Sequence, residues 1–196
     1  MKAAEKEFVK AVREELKEYG IELVFSRGCF VKADGMQAFG YFDEKQIKVA
    51  KGHSRWIEVL AHEYSHFLQW VSGSKLYKKC DNAGTIIDEW LHGKKHHGRS
   101  VHAAFENIRA MERECEMITV EVIKEYGLNV DIERYKQEAN CYIYIHHLME
   151  LHRKKLDHFK KDPMTPYYIR KMPKSFCAPS HKKFPKKVET ILERCV

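Results

Sequence analysis

A chain of 196 residues, 44% of them hydrophobic, is long enough to bury a real core in one domain, and its 35 Lys and Arg outnumber its 28 Asp and Glu for a net charge of +7. The opening stretch, MKAAEKEFVKAVREELKEYG, is charged along its length, so neither a secretory leader nor an anchor is expected there. No apolar run approaches the roughly 18 residues a membrane helix needs, so a cytoplasmic monomer without a membrane partner is expected. Six cysteines without a CxxC pair read as free thiols. The basic excess falls late, in HRKKLDHFKK and HKKFPKK, and reads as solvated surface, with nucleic-acid binding through this tail the less favoured use of it.

In chain order, Phe8, Val12, Leu16 and Tyr19 recur at steps of four and three, which predicts an amphipathic helix over 3–19 stopped by Gly20. IELVF (21–25), GCFVK, QAFGYF and QIKVA read as short strands, with DEK a turn before the last. Short strands and short turns imply a small twisted antiparallel sheet. RWIEVLAHEYSHFLQW follows as a helix, capped by the Ser54 hydroxyl and ended by SGS. TIIDEWL forms a short helix in the long connection over 75–100. Two long helical patterns follow, one ending at Gly127 and one opening at DIERY. All five prolines lie from Pro163 onward, so the tail is expected to be mostly irregular. The resulting organisation is α+β, with one domain over 1–162 and a proline- and lysine-rich strap, 163–196, packed on it through Tyr167, Tyr168, Ile169, Met172 and Phe176.

The helix over 54–71 is apolar almost throughout yet carries His62, Glu63 and His66. Buried without partners, such groups cost several kcal/mol. HEYSH is an instance of H-E-x-x-H, whose spacing puts two imidazoles on one helical face, able to share one zinc ion per chain. Glu63, about 100° round the helix, stands beside the metal as general base on a zinc-bound water. A catalytic zinc site takes a third protein ligand, and MERECE supplies it: Glu112 ligates, while Glu116, one turn on, accepts a hydrogen bond from a ligand histidine. His92, His96, His97 and His102 compete with Glu112 for the third position. Cys115 and Cys141 read as small core residues.

H-E-x-x-H followed by a helix bearing E-x-x-x-D or E-x-x-x-N is the pattern of the gluzincins, and Glu112 to Glu116 resembles it with Glu in the last place. The chain resembles further the small cytoplasmic ImmA/IrrE-type peptidases and similar phage-encoded ones, over roughly 39–123. The resemblance implies a zincin-like fold and a zinc metalloendopeptidase acting on a peptide or protein. It further implies an oxyanion donor from a later segment, for which Tyr142, Tyr144 and His146 are candidates; His147 is weighed with them. QIKVA, with Ile47, Lys48 and Val49, is expected to form the sheet edge that takes an extended substrate. Two other readings stay open, a SprT-like DNA-associated peptidase and a non-catalytic zinc-binding protein.

Overall fold

The structure, a computed structural model, describes residues 2–33, 36–177 and 185–196. It is α+β, with eight α-helices among the described residues. The chain divides into two compact units, Met1–Ser74 with Met117–Val130, and Lys75–Glu116 with Asp131–Val196.

The first unit opens on α1 (Ala3–Glu18), whose Phe8, Val12 and Leu16 are fully buried, as the apolar stripe requires. Tyr19, at the end of that stripe, is 47% exposed and only leans edge-on against Phe67. The strands are β1 (Glu22–Ser26), β2 (Val31–Ala33), β3 (Met36–Ala38), β4 (Gly40–Phe42) and β5 (Gln46–Ala50). They do not form one antiparallel sheet. β2 and β3 pair with each other, and the three-stranded sheet runs β1-β5-β4, with β1 parallel to β5 and β4 antiparallel to it.

The reason lies in the connections. A tight turn joins β4 to β5, where the Asp43 carboxylate accepts from the amides of Lys45 and Gln46 at 3.1 and 2.9 Å. A parallel partner needs a crossover of a dozen or more residues, and the excursion through β2, β3 and β4 returns the chain to start β5 alongside β1. QIKVA is therefore the central strand rather than the edge. The main chain around Ile47, Lys48 and Val49 is paired on both sides, and the edges are β1 and β4.

α2 (Trp56–Val71) packs on β4 and β5, burying Leu60, Ala61 and Phe67 completely. Ile47 and Val49, alternate residues of β5, are likewise buried. The expected Ser54 cap is not made: Arg55 occupies the N-cap position and no side chain bonds the first turn. The helix ends as expected at Ser72-Gly73-Ser74, where Gly73, at φ 67°, lets the amide of Ser74 reach the Gln69 carbonyl at 2.9 Å.

The second unit contains α3 (Lys75–Lys78), α4 (Ala83–Leu91), α6 (Ile132–His152), α7 (Pro166–Ile169) and α8 (Lys186–Leu192). α5 (Gly98–Glu125) belongs to it as far as Glu116 and to the first unit from Met117. Ala83 and Ile87 of α4 pack with Val101, Ala104 and Phe105 of α5. Cys141, Ile143, Tyr144 and Leu148 of α6 pack with Tyr168, Ile169, Met172, Val188, Leu192 and Cys195 of the tail. The tail is less irregular than its prolines suggest, because Pro166 and Pro185 sit at helix starts, where a missing N–H costs nothing. Tyr167 is 56% exposed, unlike its expected strap partners, and residues 178–184 of the strap lie outside the described residues.

Where the tail has no regular structure, α6 satisfies its backbone. Gln137 donates to the Met172 carbonyl at 2.7 Å, and Asn140 donates to those of Pro173 and Ser175 at 2.9 and 2.8 Å. The Cys177 amide donates back to Asn140 Oδ1 at 2.8 Å. Both amide side chains are buried, and buried main-chain groups require such partners. Among the described residues, no helix is long and apolar enough to cross a membrane.

Candidate metal centre on the second helix

His62, Glu63 and His66 all lie within α2, two turns inside its N-terminus. The four-residue step brings the imidazoles together on one face: their ring centroids are 4.7 Å apart, edge-on, and their ligand nitrogens lie within 4.8 Å of one another. Gln69, fully buried one turn on, accepts from His66 Nδ1 at 3.0 Å. That bond leaves Nε2 as the lone-pair nitrogen, the arrangement a ligand histidine needs. Burial, and next the neighbouring His62, push the His66 pKa down to about 3, against a smaller upward pull from Gln69. His66 is therefore neutral near pH 7, which is the form that binds a metal.

Glu63 is buried beside them, and β4 makes room for it. A Cβ on Gly40 would lie 2.6 Å from Val59 Cγ1, 3.0 Å from Glu63 Cγ and 3.1 Å from its Oε1, so only glycine allows the strand so close to the helix. The rear of α2 is fixed by a buried hydroxyl pair. Thr119 of α5 donates to Ser65 Oγ at 2.9 Å, and Ser65 donates to the Ala61 carbonyl at 2.7 Å. Tyr64 donates to Glu15 of α1. Each bond constrains the roll of α2, and with it the direction in which its histidines point.

On α5, Glu112, Cys115, Glu116 and Thr119 recur at steps of three and four, which places them on one helical face. Glu112, Cys115 and Glu116 are all buried. Glu116 accepts a hydrogen bond from the Tyr135 hydroxyl of α6, a partner the sequence did not single out. Glu112 lies within electrostatic reach of Cys80, whose thiol is pushed up to about 11 by burial first and by this carboxylate next.

Three of the four competing histidines have acidic neighbours. His92 approaches Asp88, His96 bonds Glu89 at 2.8 Å, and His102 bonds Glu150 at 2.6 Å; His97 Nδ1 accepts from the Arg99 amide. On α6, Tyr144 is fully buried in the cluster that the tail covers. His146 contacts the Tyr142 carbonyl through Nδ1 at 3.2 Å, and burial pushes its pKa down to about 4. Tyr142 stacks edge-on against it, and Tyr144 against His147.

Besides Tyr135, Ser65 and Thr119, Gln69 and Gly40 escaped the sequence reading. Gln69 follows His66 by three residues, a spacing that was there to be read as a same-face partner. Gly40 carried no local signal, because its role is set by the approach of a distant helix. No family model matches the chain, and no curated protein or solved structure matches it either.

Proposed function

We propose that the protein is a zinc-dependent peptidase in which His62 and His66 hold the metal and Glu63 acts as general base. The observation that carries this reading is the α2 pair, two imidazoles one turn apart with convergent nitrogens and a buried carboxylate beside them. The donors fit zinc: the Gln69 contact orients His66 Nε2, and burial keeps that ring neutral. Glu112 is the third ligand in this reading.

Zinc, when bound, supplies a Lewis acid that acidifies water and polarises the scissile carbonyl. Glu63 takes the proton of the attacking water and returns it to the leaving amine. Its burial against Gly40 keeps bulk water from competing for that proton. β4, the sheet edge beside Glu63, replaces β5 as the strand on which an extended peptide adds through main-chain hydrogen bonds. An unstructured protein segment is the substrate class this edge suits.

Metal analysis of the purified protein and its variants tests the reading. The parent is expected to hold one zinc per chain and His62→Ala to lose it; equal zinc in the two removes the site. Loss of zinc in Glu112→Ala supports the carboxylate as third ligand, and parental zinc in that variant removes it from the set. Glu63→Gln is expected to keep its zinc and lose about 10²–10⁴-fold in cleavage of a peptide library. Near-parental cleavage by that variant would show that Glu63 is not the base.

A further inference from the structure

We propose that the face of the first unit at the carboxyl ends of β1 and β5 binds single-stranded nucleic acid, independently of the tail and of the peptidase reading. A cleft of about 410 Å³ opens there, lined by Phe25, Ser26, Arg27, Lys51 and Gly52. Its two walls are locked backbone to backbone. The Lys51 amide donates to Ser26 at 2.8 Å and the Gly52 amide to Gly28 at 3.1 Å. A Cβ on Gly52 would lie 2.7 Å from the carbonyl oxygens of both Arg27 and Gly28, so glycine is what lets the loops close on each other.

The two segments that form this face carry charge of one sign. The segments RGCFVK (27–32) and KGHSRW (51–56) carry Arg27, Lys32, Lys51 and Arg55 and no acid. Arg55 is engaged with Glu58 at 3.8 Å, whereas Arg27, Lys32 and Lys51 are exposed. Cations held together without carboxylates raise the local concentration of an anion.

The face also presents rings. Phe39 stacks on His53, centroids 4.0 Å apart, and Phe30 stacks on Phe39 at 5.3 Å, both pairs 21° from parallel. Phe30 is 50% exposed and Phe39 42%. Lys51 Nζ lies 5.4 Å from the Phe25 ring and 5.6 Å from Trp56. His53 follows Gly52 directly, so the stack and the cleft adjoin. A half-exposed ring, Phe30, on a stack beside exposed cations matches a ligand with a phosphate and an unstacked base at each step. A duplex hides its base faces, inorganic phosphate has no use for the rings, and an acidic peptide has no use for a parallel stack.

The test is fluorescence anisotropy of the intact protein with a labelled short oligo-dT, a duplex of equal length and a labelled acidic peptide containing aromatic residues, with inorganic phosphate as competitor. Oligo-dT is expected to bind in preference to the other three. Phe30→Ala is expected to weaken it about 5- to 100-fold, the range for loss of one base stack, with Phe30→Tyr restoring it. Arg27→Ala/Lys51→Ala is expected to lower the slope of log K against log salt by about 1.4, or 0.7 for each phosphate no longer neutralised. Lys186→Ala/Lys187→Ala, on the tail, is expected to leave affinity within about twofold, since those lysines belong to the second unit and not to the segments that form the face. The substituted residues are exposed, and an unchanged melting temperature verifies that each variant folds. The proposal is overturned if oligo-dT does not bind at low salt, if the face variants bind like the parent, if only the tail variant fails, or if the duplex, peptide or phosphate is held as tightly as oligo-dT.

Discussion

In the first unit, α2 lies against β4 and β5, and the main chain of β5 is paired along both sides. In the second unit, α6 lies against the irregular stretch 172–177, which has no ladder and takes backbone partners from Gln137 and Asn140. The first arrangement commits its buried apolar side chains to packing and leaves the polar positions of α2 available for chemistry. The second uses buried polar side chains as structural ties. A buried amide or carboxylate in this protein therefore has two meanings, which are separated by whether its partner is irregular backbone.

Phe8→Ala should widen the contrast most. The ring is fully buried against Tyr64 and Tyr126, and large-to-small core changes of this kind cost about 3–5 kcal/mol. Urea unfolding should show that loss, together with reduced zinc retention, since Tyr64 sits between the histidines. Asn140→Ala should come next, at roughly 2–4 kcal/mol for three hydrogen bonds at about 1 kcal/mol each with one or more groups left buried and unpaired. Proteolysis near Pro173 should rise with it, while zinc content stays parental. A strap that remains resistant in this variant would mean that packing, not the amide, holds it.

Gly40→Ala sharpens the comparison from the other side. Forcing a methyl between β4 and α2 should cost about 1–3 kcal/mol, the usual range for overpacking. The same change displaces Glu63, so cleavage should fall by more than stability does; equal cleavage at saturating substrate would show that the strand yields instead of the carboxylate. Tyr167→Ala should do least, within about 0.5 kcal/mol, because the ring is mostly in solvent beside the buried Tyr168. A thermal shift of several degrees would place Tyr167 among the residues that tie the tail.

Local periodicity was enough to read α1, α2, α5 and α6 to within a few residues, because apolar spacing and glycine stops act inside one helix. It was enough, too, to bring His62 and His66 to one point, since a four-residue step on a helix is geometry that no distant contact alters. The parallel pairing of β1 with β5, the central place of QIKVA and the edge position of β4 were decided by which segments met across the sheet. So were the glycine at position 40 and the grip of Asn140 on the tail. Strand order and backbone satisfaction are long-range properties: each depends on a partner distant in the chain, and the strand sequences carry a period of two whichever neighbour they acquire.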